Sequence, residues 1–181
     1  MMYNESQIMD ILRSVRHDLM NHVQLLKANL SLKRYDRVAQ IVDELVENAQ
    51  TEAKLSNLRI PKSSVLLLGY NWTPKPFKVK VDVLGEQTDW TIFDETIYSL
   101  LTDVFHIFER ASDQMHNNVV HVSLNTNAKA PRISFCYKGE IARADIVEGN
   151  LAHLNQTYQL VEKYIHKEET VIAFELTDPL R

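Results

Sequence analysis

An apolar stripe that leaves one histidine on its far side constrains this chain most. Ile8, Leu12, Val15, Leu19, Val23, Leu26 and Leu30 recur at steps of three and four residues, the spacing of an amphipathic helix. At about 100° per residue the stripe centres roughly opposite His17. The pattern predicts one helix over residues 4–31, opened by Asn4 and Gln7 as a capping box. A break follows near Leu32–Tyr35 with neither glycine nor proline to mark it. Asp36 is the expected cap of a second helix, which runs to about Asn57 with Val38, Ile41, Val42, Leu45 and Ala49 as its apolar side. Two long helices joined by a short turn make an antiparallel hairpin. Two helices alone cannot enclose a core, so the stripes call for a second hairpin, most simply another copy of the chain. A dimeric four-helix bundle is therefore expected.

Pro61 ends the helical region in this reading and divides the chain into a hairpin, residues 1–60, and a second domain, residues 61–181. Phe77, Val79, Val81 and Val83 alternate with Lys78, Lys80 and Asp82, as in a strand with one buried face. Ile97, Leu100, Leu101, Val104, Phe105 and Phe108 mark a helical face. Further strands are expected at Val120–Leu124, at Ile133–Tyr137 and near Thr170–Leu176, with a helix around Leu154–Tyr164. The sum is an α+β chain, a helical hairpin followed by an α/β sandwich.

Bulk properties exclude several classes. The net charge of -4 comes without a basic stripe, which argues against nucleic acid as a partner. The longest apolar runs, such as Val65-Leu66-Leu67-Leu68, are far too short to span a bilayer. The polar, periodic N-terminus does not read as a signal peptide. A cytoplasmic protein with no membrane partner is expected. The single cysteine, Cys136, has no partner for an internal disulfide and reads as a core residue of its strand.

On the predicted first helix, Arg13, Asn21 and Gln24 share the exposed face with His17. Asp18 is adjacent in sequence but points about 100° away. A neutral imidazole can attack phosphorus and form a phosphoramidate. Asn21 and Gln24 are suited to position phosphoryl oxygens without adding charge, and Arg13 or Arg16 to offset negative charge. Most exposed histidines have no such task, so position alone does not settle the matter. His22 lies toward the apolar stripe and reads as a packed, hydrogen-bonded residue. His106 is expected to cap or pack, and His116, His121, His153 and His166 show no metal-site spacing.

Arg16-His17-Asp18, followed by Asn21 and Gln24 on the first helix of a hairpin, resembles the phosphoacceptor region of two-component histidine kinases. The segments Arg16-His17-Asp18-Leu19-Met20-Asn21, Gln24-Leu25, Asn29-Leu30-Ser31-Leu32, Tyr35-Asp36-Arg37-Val38 and Lys54-Leu55-Ser56-Asn57-Leu58 resemble the sporulation initiation phosphotransferase B family more closely still. That resemblance implies His17 as phosphoacceptor, and Asp18 matches the acidic residue that follows the histidine in kinases. It also implies a docking surface on both helices near His17, including Arg13, Leu25 and Ala28.

The second domain resembles a histidine-kinase ATPase domain in layout, but its nucleotide chemistry is missing. His106 and Ile107 stand where such kinases carry an acidic residue and a magnesium-holding asparagine. Tyr137, before Lys138-Gly139, stands near the place of the adenine-reading aspartate. No glycine-rich lid occurs near Leu154-Asn155-Gln156, and the whole chain has only four glycines, too scattered to cradle phosphates. The resemblance then implies a relay without ATP. A single-domain response regulator donates from phosphoaspartate to His17, which passes the group to the receiver domain of a sporulation transcription regulator. No cofactor or metal of its own is expected, the magnesium belonging to the receiver. Two rivals are a non-catalytic dimeric module that binds response regulators and a kinase fragment that borrows an ATPase.

Overall fold

The computed structural model describes residues 5–86, 88–113, 116–127 and 130–177. The chain divides into two compact units, Met1–Glu52 and Ala53–Arg181. The first unit holds helix α1 (Glu5–Ser31) and most of helix α2 (Tyr35–Asn57). Asn4 and the side chain of Gln7, the proposed capping box, lie outside the described residues.

The turn between the helices closes without glycine. Lys33 takes the left-handed conformation, φ 55°. Its N–H donates to the Leu30 carbonyl at 3.0 Å, and the Arg34 N–H donates to the Asn29 carbonyl at 2.9 Å. These two bonds form a Schellman motif, which satisfies carbonyls that the helix end leaves open. The Arg34 carbonyl accepts the first bond of α2, from the Val38 N–H at 3.1 Å. Asp36 is therefore not the cap expected from the sequence. It lies in the first turn, where its charge suits the positive end of the helix dipole.

Ile41, only 2% exposed, is the one buried apolar side chain of the first unit among the described residues. The stripe along α1 is open. Ile8, Leu12, Val15, Leu19, Val23 and Leu30 are 45–59% exposed. Val42 and Val46 of α2 are open too.

The second unit is a two-layer α/β sandwich. Its strands are β1 (Phe77–Leu84), β2 (Asn118–Asn125), β3 (Arg132–Lys138), β4 (Gln159–Ile165) and β5 (Glu169–Glu175). They form one sheet in the order β1-β2-β3-β5-β4, with β1 parallel to β2 and the other pairs antiparallel. The parallel pair needs a crossover, which helix α4 (Asp94–Ala111) supplies. Alternate residues of β1, β2 and β3 turn inward toward the layer of α4 and helix α5 (Ala144–Thr157). Phe77, Val122, Phe135 and Phe174 join Leu101, Phe105, Phe108 and Leu151 in one buried cluster. Rings of Phe77 and Phe135 meet Phe105 edge-on at centroid distances of 5.9 and 6.4 Å, a favoured aromatic geometry. Leu55 and Leu58, from the end of α2 onward, belong to the same core.

Three expectations are corrected here. Pro61 opens a helix, α3 (Pro61–Gly69), rather than only ending one. Proline suits the first helical position because its missing N–H is unpaired there anyway. Ile60 before it offers no side-chain cap, and Asp94 serves instead. Its carboxylate accepts from the backbone N–H groups of Lys62 and Ser63, each at 3.0 Å, and from Ser63 Oγ at 2.8 Å. Second, the helix placed around Leu154–Tyr164 ends at Thr157, and Gln159–Ile165 is the edge strand β4. Pairing with β5 outweighs a helix-like spacing of Leu160, Val161, Tyr164 and Ile165. Third, Cys136 is not in the core. Ile133, Phe135 and Tyr137 take the inner face, so alternation turns Cys136 outward, half-buried. Its thiol lies 3.7 Å from Glu169 Oε1, and burial first, then that carboxylate, pushes its pKa up.

Candidate functional site

His17 sits midway along α1, its side chain 72% exposed. Helical spacing places Asn21 one turn further on, and its Nδ2 is 3.2 Å from His17 Nδ1. Asp18 comes closer than its position suggests, with Oδ1 3.6 Å from the same ring nitrogen. Sequence spacing turns its Cα–Cβ bond away, but a carboxylate can swing back across the helix surface. His17, Asp18 and Asn21 therefore form one cluster, with Nδ1 engaged. The tautomer decides what Nε2 can do. An Asn21 N–H donated to Nδ1 leaves the ring proton on Nε2. A proton on Nδ1, donated to the Asn21 amide oxygen after a half-turn of the amide and facing the Asp18 carboxylate at 3.6 Å, leaves a lone pair on Nε2.

The other residues named from the sequence are all on α1 and exposed: Arg13, Arg16, Gln24, Leu25 and Ala28. Arg13 pairs with Asp10 at 3.0 Å, both side chains open to solvent, so this ion pair contributes little. His22 is half-buried, and its Nδ1–H donates to the Asp18 carbonyl at 2.8 Å. That bond fits its reading as a hydrogen-bonded histidine, but the side chain is not in a core.

Ile107 is buried against the core. His106 neither caps nor packs. It is exposed in the middle of α4 and opens on a cleft between α4 and α5. Tyr137 is fully buried, its hydroxyl 3.0 Å from Ser112 Oγ and 3.2 Å from the Glu140 carbonyl. Burial raises its pKa before any neighbour does. Gly139 has φ +144°, and a Cβ there would fall 2.1 Å from Asn118 Oδ1. Packing against Asn118 requires this glycine. Leu154, Asn155 and Gln156 are helical, part of α5.

One cluster has no local signal in the sequence. Asp113, His116 and Glu140 bring one potential ligand atom each within 4.8 Å of the others. His116 Nε2 is 3.1 Å from Glu140 Oε2, and Lys167 Nζ is 3.1 Å from Glu140 Oε1. Asp113 lies three residues before His116, but Glu140 and Lys167 come from distant segments, so no one stretch of sequence carries the cluster. A lysine on the same carboxylate already offsets its charge, so these contacts read as ion pairs tying three turns together.

A helical hairpin that carries an exposed histidine is followed by an α/β layer. The family described as sensor kinase SpoOB-type, alpha-helical domain, matches residues 1–58. The family described as sporulation initiation phospho-transferase B, C-terminal, matches residues 59–177. The chain belongs to the sporulation initiation phosphotransferase B family. It is similar to sporulation initiation phosphotransferase B of Bacillus subtilis (strain 168), 38% identical over 122 residues. That stretch is 67% of this chain and 64% of the relative, so less than two thirds of the relative is spanned. Among solved structures, a bacterial phosphotransferase matches with TM-score 0.42 and 10% identity over 97% of this chain and 98% of that one. Histidine kinase AdeS of Acinetobacter baumannii matches with TM-score 0.41 and 10% identity over 90% and 98%. No helix among the described residues is long and apolar enough to cross a membrane.

Proposed function

We propose that this chain is a phosphotransferase of a sporulation phosphorelay, with His17 as phosphoacceptor. The observation that carries the reading is His17 itself, its side chain 72% exposed on α1 with Nδ1 beside Asn21 and Asp18. In the tautomer with the proton on Nδ1, the Nε2 lone pair attacks the phosphorus of a receiver's phosphoaspartate. The N–P bond forms as the P–O bond to the aspartate breaks, and the aspartate leaves as a carboxylate. The imidazole becomes cationic, and the Asp18 carboxylate 3.6 Å from Nδ1 stabilises that charge. Transfer to a second receiver reverses the same steps. Asn21 and Gln24 position the phosphoryl oxygens and Arg16 offsets their charge, so the protein's work is positioning and electrostatics. The magnesium sits in the receiver.

The partners are a single-domain response regulator as donor and the receiver of a sporulation transcription regulator as acceptor. Arg13, Leu25 and Ala28 face them on α1. The functional form is a homodimer, because Ile8, Leu12, Val15 and Leu19 remain open to water on one chain and a second hairpin would cover them. The α/β unit supplies no phosphate from ATP, since Ile107 and Tyr137 fill its core and four scattered glycines make no phosphate loop. The test is to mix purified protein with a phosphorylated single-domain response regulator, without ATP. Phosphate should appear on this chain and move on when a second receiver is added. Binding of the donor without transfer would favour the non-catalytic module instead.

A further inference from the structure

The cleft between α4 and α5 collects hydrogen-bond donors that lack protein acceptors. It measures about 160 Å³. Arg110 and His106 enter it from α4, and His153 and Asn150 from α5. Their spacings of three and four residues put each pair on one helix face. Ile107 and Leu154 make a buried apolar floor. Among the described residues, Arg110, His106 and His153 have no ion pair or hydrogen-bond partner. Asn150 is held in place, its Nδ2 donating to the Ile146 carbonyl at 2.7 Å. The one acid in the cleft is Asp103, which accepts from the Tyr158 hydroxyl at 3.3 Å. It stands two turns from Arg110, about 10 Å along the helix axis.

A guanidinium and two imidazoles gathered in a chain of net charge -4 match one ligand chemistry. We infer that this cleft binds a compact dianion, either a phosphoryl group or a small dicarboxylate. The guanidinium fork suits two oxygens of such a group, and each imidazole adds an N–H donor. Asp103 repels the anion from its own end and so directs it toward Arg110. The volume lies below the about 300–1,000 Å³ of pockets for drug-sized ligands, so a compact group matches it better than a whole nucleotide. The site is separate from His17 in sequence and chemistry, and its failure would leave the phosphotransfer reading untouched.

Sulfate is the probe for the phosphoryl class because it is a dianion at neutral pH, and succinate is the probe for dicarboxylates. Amide spectra of the full-length 15N-labelled protein are recorded against each, with sodium chloride at matched ionic strength as reference. Saturable shifts are expected at Asp103–Arg110 and Asn150–Leu154. Saturation by sulfate alone assigns a phosphoryl ligand, and by succinate alone a dicarboxylate. Arg110→Gln, an exposed change, should weaken binding at least about tenfold, and His153→Gln should weaken it as well. Shifts no larger than those with chloride, or undiminished in Arg110→Gln, would overturn the inference.

Discussion

Asn21 Nδ2 stands 3.2 Å from His17 Nδ1, one helical turn along α1. With its amide turned to present the oxygen to Nδ1–H, Asn21 would hold the imidazole in the tautomer that leaves the Nε2 lone pair free, and would then act in the same step as His17. Asn21→Ala should slow transfer from the donor and transfer to the acceptor together, each by roughly tenfold, the scale of about 1.4 kcal/mol. Gln24→Ala should act in the same sense. Rapid-quench rates in both directions decide it. Two variants with unchanged rates would remove both residues from the site.

Leu19, 59% exposed in one chain, should be covered in the functional form. Leu19→Asp should convert a dimer to monomers, because the unpaired charge would enter an apolar seam. Sedimentation at micromolar concentration reads the mass, and circular dichroism reads the helices. A wild-type monomer with full helicity would contradict the bundle.

Asp94 caps α3 from a distance of more than thirty residues, through Lys62 and Ser63. Asp94→Ala should cost about 2–4 kcal/mol, because buried N–H donors lose a charged acceptor. Urea unfolding should show a lower midpoint with an unchanged slope. A loss under about 0.5 kcal/mol would show that water replaces the cap without cost.

Gly139 and Asn118 should be coupled. Gly139→Ala forces a Cβ to 2.1 Å from Asn118 Oδ1 and should cost about 2–4 kcal/mol. Asn118→Ala also destabilises, since its side chain bonds Pro76, Asp113 and Glu140. In the double variant the clash is gone, so the combined loss should fall short of the sum by about 1 kcal/mol or more. Strict additivity would mean that the left-handed backbone at Gly139 carries the whole cost.

The long periodic elements were legible in the sequence. Both helices of the hairpin, β1 and α4 carry clean periods, and their apolar faces are those the residues indicate. Elements decided by distant partners were less so. Gln159–Ile165 pairs with β5 although its apolar residues also fit a helix. Pro61 marks a start as readily as a stop, and α3 depends on Asp94, which no local pattern connects to it. At the site, the face shared by His17 and Asn21 follows from helical spacing. The approach of Asp18 depends on a side-chain rotamer, which spacing does not encode. The α4–α5 cleft joins residues about forty positions apart and leaves no mark in either segment alone.

The central claim is that His17 carries the phosphoryl group. The direct measurement is to incubate wild type, His17→Ala and His17→Gln with a phosphorylated single-domain response regulator, then map the acid-labile phosphate. Substitution at so exposed a position should leave folding intact. The account predicts phosphohistidine at His17 in wild type, none in either variant, and none from ATP alone. Phosphate retained by a variant, or acquired from ATP without a donor, would contradict it.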